Sequence, residues 1–178
     1  MLKHLRKLVA GRSKASPVLY RPVEAPLPRM LVMTEASVLA MRDCMAAEIR
    51  RGHEGIAYLL GQTNGSTTVI VGAIHPESRT TRGSFDVSSV AMARVVRKAT
   101  DAGLQVAGQI HTHPSQAFHS DGDVDGARIA YDGYISIVVP DYGRLLPSLA
   151  GAALYFYRGG GFSELSARAV RIISGVFS

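Results

Sequence analysis

Apolar positions along this chain follow two different periods, and each predicts its own elements. From Thr34 onward, Val38, Leu39, Met41, Met45 and Ile49 recur on one helical face, with Thr34 as an N-cap and Gly52 as the stop. That spacing predicts a helix over 34–51. The apolar run from Glu54 to Leu60 is too short and continuous for a helix and reads as a strand. Asn64-Gly65 then predicts a tight hairpin into a second strand, Thr67 to Ile74. A polar loop, PESRTTRGSFD, leads to a second helix, with Val87, Val90, Ala91, Val95 and Val96 at helical spacing and Gly103 ending it. The strand Leu104 to Ile110 runs straight into His-Thr-His-Pro. A short helix is expected between Asp123 and Tyr131, and strands at Tyr134 to Val139, Ala152 to Arg158 and Phe162 to Val170. Helix, hairpin, helix, strand, short helix and strands make a mixed α/β layer, not a regular alternation of strand and helix.

At 178 residues the chain suits one domain, and 47% hydrophobic with 19% charged residues suits a folded one. The formal charge of +6 suggests a nucleic-acid binder until it is located. Seven of the 20 Lys and Arg but only one of the 14 Asp and Glu, Glu24, lie in residues 1–29, so the remainder is balanced. A neutral body gives no reason to expect a groove that tracks phosphates. The basic, proline-rich stretch 1–30 is expected to form an irregular arm, and residues 31–178 the folded domain. A single cysteine, Cys44, excludes an internal disulfide and Cys-rich zinc sites. With a reducing compartment as its simplest setting, no apolar run near the ~20 residues that cross a bilayer and no uncharged leader core, the expected location is the cytoplasm, away from membranes.

The sharpest chemical feature is His111-Thr112-His113-Pro114, followed by Ser120-Asp121-Gly122-Asp123. Side chains at i and i+2 of a strand point the same way, so His111 and His113 can present two imidazoles to one point. Pro114 ends the strand, and the loop after it can return a carboxylate, Asp123, at the start of the next helix. Two His and one Asp suit catalytic zinc, which keeps a fourth position for water. Taken singly, His-x-His is often two unconnected histidines and Ser-x-x-Asp often a helix cap; their conjunction is what points to a metal. A zinc-held water needs a base, and Glu54 is the candidate. It precedes an apolar strand, where an inward carboxylate would be poorly solvated and its pKa raised, although a strand-end Glu can equally sit in solvent.

Together, Glu54-Gly-Ile-Ala-Tyr-Leu-Leu-Gly61, His111-Thr-His113-Pro114 and Ser120-x-x-Asp123 resemble the JAB/MPN (JAMM) metalloprotease family, whose pattern is E-x-x-x-x-L-L-G, H-x-H-P and S-x-x-D in that order. The resemblance implies His111, His113 and Asp123 as ligands of Zn2+, Glu54 as the base and Ser120 as a hydroxyl steadying the tetrahedral intermediate. It also implies a curved, mostly antiparallel sheet flanked by helices, the cytidine-deaminase-like layered fold. The implied activity is hydrolysis of peptide or isopeptide bonds at the C-terminus of a ubiquitin-like protein, with E1- and E2-like enzymes as possible companions. Members of the family that process sulfur-carrier proteins, and silent members that act as scaffolds, supply the alternatives. Short 76–86 and 140–151 segments suggest a compact prokaryotic form. In one respect the sequence departs from the pattern: Asp123 lies ten residues after His113 where the family commonly has eleven, which keeps Asp121 and Asp125 as reserve ligands. His119 is expected to be a solvent-facing loop histidine.

Overall fold

The computed structural model describes residues 30–120, 123, 129 and 131–174. Its elements are β1 (Met30–Thr34), α1 (Glu35–Cys44), α2 (Ala46–Arg51), β2 (Ile56–Asn64), β3 (Thr67–Ile74), β4 (Ser78–Thr80), β5 (Phe85–Val87), α3 (Ser89–Asp101), β6 (Gln105–Thr112), β7 (Ile135–Val139), β8 (Ala153–Arg158), β9 (Gly161–Glu164) and β10 (Val170–Ile173). Eight strands form one sheet in the order β10-β1-β3-β2-β6-β7-β8-β9, and β4 and β5 form a separate small hairpin. The mixed α/β class expected from the pattern is the one observed. Antiparallel pairings predominate narrowly, with β1-β10, β1-β3 and β6-β7 parallel.

Thr34 caps the first helix as expected. Its Oγ1 accepts from the Ser37 N–H (3.0 Å) while its own N–H donates to Ser37 Oγ (3.1 Å), a reciprocal capping pair. The single helix expected over 34–51 is instead two, joined at Met45 (φ −104°, ψ 7°), whose side chain is fully buried. Neither Gly nor Pro marks this break, so the apolar period ran through it unseen. Gly52 ends α2 in the left-handed conformation (φ 63°) that a residue without Cβ adopts cheaply.

Three further expectations are corrected. β1, within a stretch read as the end of an arm and a helix start, is an interior strand between β3 and β10. The loop 76–86 contains β4 and most of β5, each only three residues long and so without a readable alternation, and Val87, counted with the second helix, ends β5 ahead of the Ser88 cap. The strand expected over 162–170 is split: β9 pairs with β8 at one edge of the sheet and β10 with β1 at the other, with a 3-10 turn at Ala167–Ala169 between them. Of the short helix expected between Asp123 and Tyr131, Asp123 is helical and Ile129 is buried; its other residues through 130 lie outside the described residues, as do the 1–29 arm, Asp121 and Asp125.

Both faces of the sheet are covered. Leu31, Met33, Val38, Met41, Met45, Leu59, Ile110 and Ile137 belong to the α1/α2 side, and Ile56, Tyr58, Ala91, Val95, Val106 and Tyr134 to the α3 side. In the β2-β6 ladder Leu59 pairs with Gly108 but Leu60 with Val106, leaving Ala107 as an extra residue. That bulge reverses the phase of the rest of β6. Ala107 and Ile110 share the α1/α2 core, and His111, opposite Ile56, falls on the α3 side.

A candidate metal centre at the end of β6

The β2-β6 register pairs Ile56 with His111, and the ladder continues beyond β2 through the Thr112 N–H bond to the Gly55 carbonyl (3.0 Å). One step further, the same register sets Glu54 across from His113. Glu54 thus stands two residues before β2 begins, in a segment whose own N–H donates to the Thr81 carbonyl (2.8 Å). His113 leaves the sheet with its N–H on the Val139 carbonyl (2.9 Å) and its carbonyl accepting from the Tyr142 N–H (2.7 Å). Asp141 and Tyr142 both take positive φ (52° and 54°), strained for residues with a side chain. The Tyr142 hydroxyl donates to the Arg82 carbonyl (3.0 Å), so this strained turn ties the end of β6 to the β4-β5 loop.

Asp123 returns as the spacing suggested. Its carboxylate lies between the two imidazoles, Oδ1 3.3 Å from His111 Nε2 and Oδ2 3.3 Å from His113 Nε2. Candidate ligand atoms of His111, His113 and Asp123 all lie within 4.8 Å of one another, and all three side chains are buried. Ser120 is beside them: its N–H (2.7 Å) and hydroxyl (2.8 Å) both donate to Asp123 Oδ2, and its carbonyl accepts from the Asp123 N–H (3.0 Å). A cavity of about 360 Å³ opens onto the group, lined by Glu54, His113, Ser120 and Asp123 together with Phe85 and Phe118. The sequence reading missed these two aromatic walls. Phe85 tilts onto His111 (ring centroids 5.4 Å) and Phe118, half exposed, meets His113 edge-on (5.1 Å).

Electrostatics follow the geometry. Burial pushes the Glu54 carboxyl up to about 7; nearby Asp123 adds to this and His113 opposes it. For Asp123 burial pulls upward, but the two imidazoles and the Ser120 N–H win and hold it well below the usual carboxylate range. Burial lowers His111, while at His113 the bond to Asp123 and the neighbouring charges outweigh burial and raise it. His119 is a correction to the sequence reading. Instead of facing solvent it stacks on Phe162 (4.1 Å), sets its Nε2 3.1 Å from Ser136 Oγ, and has its pKa pulled down to about 4, first by burial and then by His111.

His111 decides what the group is suited to hold. It is fully buried, and neither ring nitrogen makes a hydrogen bond among the described residues; its approach to Asp123 is close enough for an ion pair but poorly directed. A buried polar group left so costs about 1–3 kcal/mol. Two imidazole nitrogens and a carboxylate oxygen, converging with no lysine or arginine among the described residues of the cavity wall, are a donor set for a divalent cation such as zinc.

Comparison with known proteins agrees. Residues 38–145 match the family described as prokaryotic homologs of the JAB domain. A curated protein described as "Probable metalloprotease y4jG", from Sinorhizobium fredii (strain NBRC 101917 / NGR234), is 32% identical over 130 residues, covering 67% of this chain and 80% of that one. The solution structure of protein DSY2949 from Desulfitobacterium hafniense superposes with a TM-score of 0.59 at 15% identity, over 83% of this chain and 96% of the other, a likeness of fold alone. With the family matched across more than half its length, from α1 through β6 and β7, this chain is a member of the prokaryotic JAB-domain family.

Proposed function

We propose that the protein is a zinc-dependent peptidase or isopeptidase that cuts at the C-terminus of a ubiquitin-like protein, in deconjugation or in precursor processing. One observation carries this reading: a raised-pKa glutamate shares a cavity with a buried His-His-Asp group. The relative described as a probable metalloprotease supports peptide-bond chemistry, and family membership supports a metal-dependent hydrolase.

His111, His113 and Asp123 would hold the ion. Zinc bound there supplies Lewis acidity, bringing the pKa of a water toward about 7 and polarising a carbonyl. Glu54 would take a proton from the attacking water at its carboxylate and pass it to the leaving amine, a task suited to a carboxylate whose burial raises its affinity for a proton. The Ser120 hydroxyl, which donates to Asp123, would turn its hydrogen bond to the developing oxyanion while keeping its proton. Phe85 and Phe118 border the cavity and limit the water that reaches it. E1- and E2-like enzymes are the partners this activity calls for, and a free Cys44 suits the reducing cytoplasm.

The test is cleavage of a ubiquitin-like protein carrying a C-terminal extension. Purified protein should carry about one zinc per chain. Glu54→Gln should abolish cleavage with zinc content unchanged. A Glu54→Gln variant that still cleaves refutes the role of Glu54, and a zinc-loaded wild type that cleaves no such substrate favours a scaffold.

A further inference from the structure

The residue between the two histidines has a task of its own, one that rests on the reading of Glu54 as proton acceptor. Thr112 is fully buried and points away from His111 and His113, toward the α1/α2 side. In a regular antiparallel ladder the Gly55 N–H would go to the main-chain carbonyl across from it. Here it goes to the Thr112 hydroxyl instead, at 2.8 Å, while the Thr112 N–H bonds the Gly55 carbonyl at 3.0 Å. The Thr112 methyl is seated against Gly143, where a Cβ would come within 3.0 Å of it, so the rotamer that aims the hydroxyl at Gly55 is fixed by packing. Glu54 is therefore gripped on both sides, its own N–H by the Thr81 carbonyl and the next N–H by Thr112.

We infer that Thr112 is a positioning residue for Glu54: one strand end carries two metal-facing imidazoles on one side and, on the other, the hydroxyl that sets the distance from the base to them. With Asp123 as the third ligand, cation and base are then set by three consecutive residues, the last two of β6 and the one that follows it. A change that freed the Gly55 N–H would let the Glu54 carboxylate drift without touching a ligand atom.

Thr112→Val keeps the methyl packing and removes the acceptor; Thr112→Ser keeps the hydroxyl. In zinc-loaded full-length protein Thr112→Val should lower kcat by roughly 10- to 100-fold, the scale of an ångström-sized misplacement, with KM and zinc affinity unchanged. The Gly55 amide should exchange with solvent faster, in the Glu54→Gln background as well, and Thr112→Ser should recover both properties. Unchanged kcat and Gly55 exchange in Thr112→Val, beside an inactive Glu54→Gln, would overturn the inference. So would a fall in zinc affinity that tracks the fall in kcat, because Thr112 would then act through the ligands. Failure of the underlying reading looks different: Glu54→Gln itself remains active.

Discussion

His111 and Thr112 are neighbours on β6, both fully buried, yet they differ in how their polar atoms are met. The Thr112 hydroxyl accepts a 2.8 Å bond from Gly55 and its methyl packs near Gly143, so the fold satisfies it from within. Across the strand, the two nitrogens of His111 make no hydrogen bond among the described residues, although Asp123, His113 and His119 surround the ring. Buried polar groups are nearly always paired by protein or water. β6 thus carries, side by side, a polar group that the fold satisfies from within and one that it leaves unmet among the described residues, as the proposed metal site requires.

The largest effect expected from breaking this contrast is on metal binding. His111→Leu should weaken zinc affinity, measured by calorimetric titration, by more than the roughly 10- to 100-fold that losses outside the ligand shell cost. The same change should raise the stability of zinc-free protein by about 1–3 kcal/mol in denaturant unfolding, since it removes unpaired buried nitrogens. On the opposite side of the sheet, Met41→Ala should do the reverse. Truncating a fully buried side chain costs about 2–5 kcal/mol of stability and should leave zinc affinity of the folded fraction alone.

Gly61→Ala should cost about 1–3 kcal/mol, an overpacking penalty, because a Cβ there collides with the Val69 carbonyl at the irregular β2-β3 register. Glycine at the end of the E-x-x-x-x-L-L-G stretch thus has a packing reason. The last effect is read in the pH dependence of stability. Burial holds Glu54 near 7 in the folded chain against about 4.3 unfolded, so the fold binds this proton more tightly. Its contribution to stability is complete below about 4.3 and is lost as pH rises through 7. Zinc-free wild type should therefore lose stability relative to Glu54→Gln between pH 5 and 8, and parallel curves would refute the raised pKa.

What could be read beforehand depended on whether the signal was local. The i, i+2 histidines, the Asn64-Gly65 turn, the Gly52 stop and the Thr34 cap each act over a few residues, and each appears in the structure. Ala107 could not be foreseen as a bulge, because the extra residue exists only relative to the register with β2, yet it sets the side of the sheet on which His111 lies. β1 draws its strand character from β3 and β10 on either side of it, β10 from β1, and the three-residue β4 and β5 from their pairing. His119 was misjudged for a similar reason, since its partners Phe162 and Ser136 come from distant strands.

The central claim, that His111, His113 and Asp123 grip one divalent cation, is tested most directly by X-ray absorption at the zinc edge on the zinc-loaded full chain. About one ion per chain is expected, with two imidazole ligands and otherwise only oxygen neighbours. A sulfur neighbour, or an unchanged spectrum in a zinc-loaded His111→Leu variant, would contradict it.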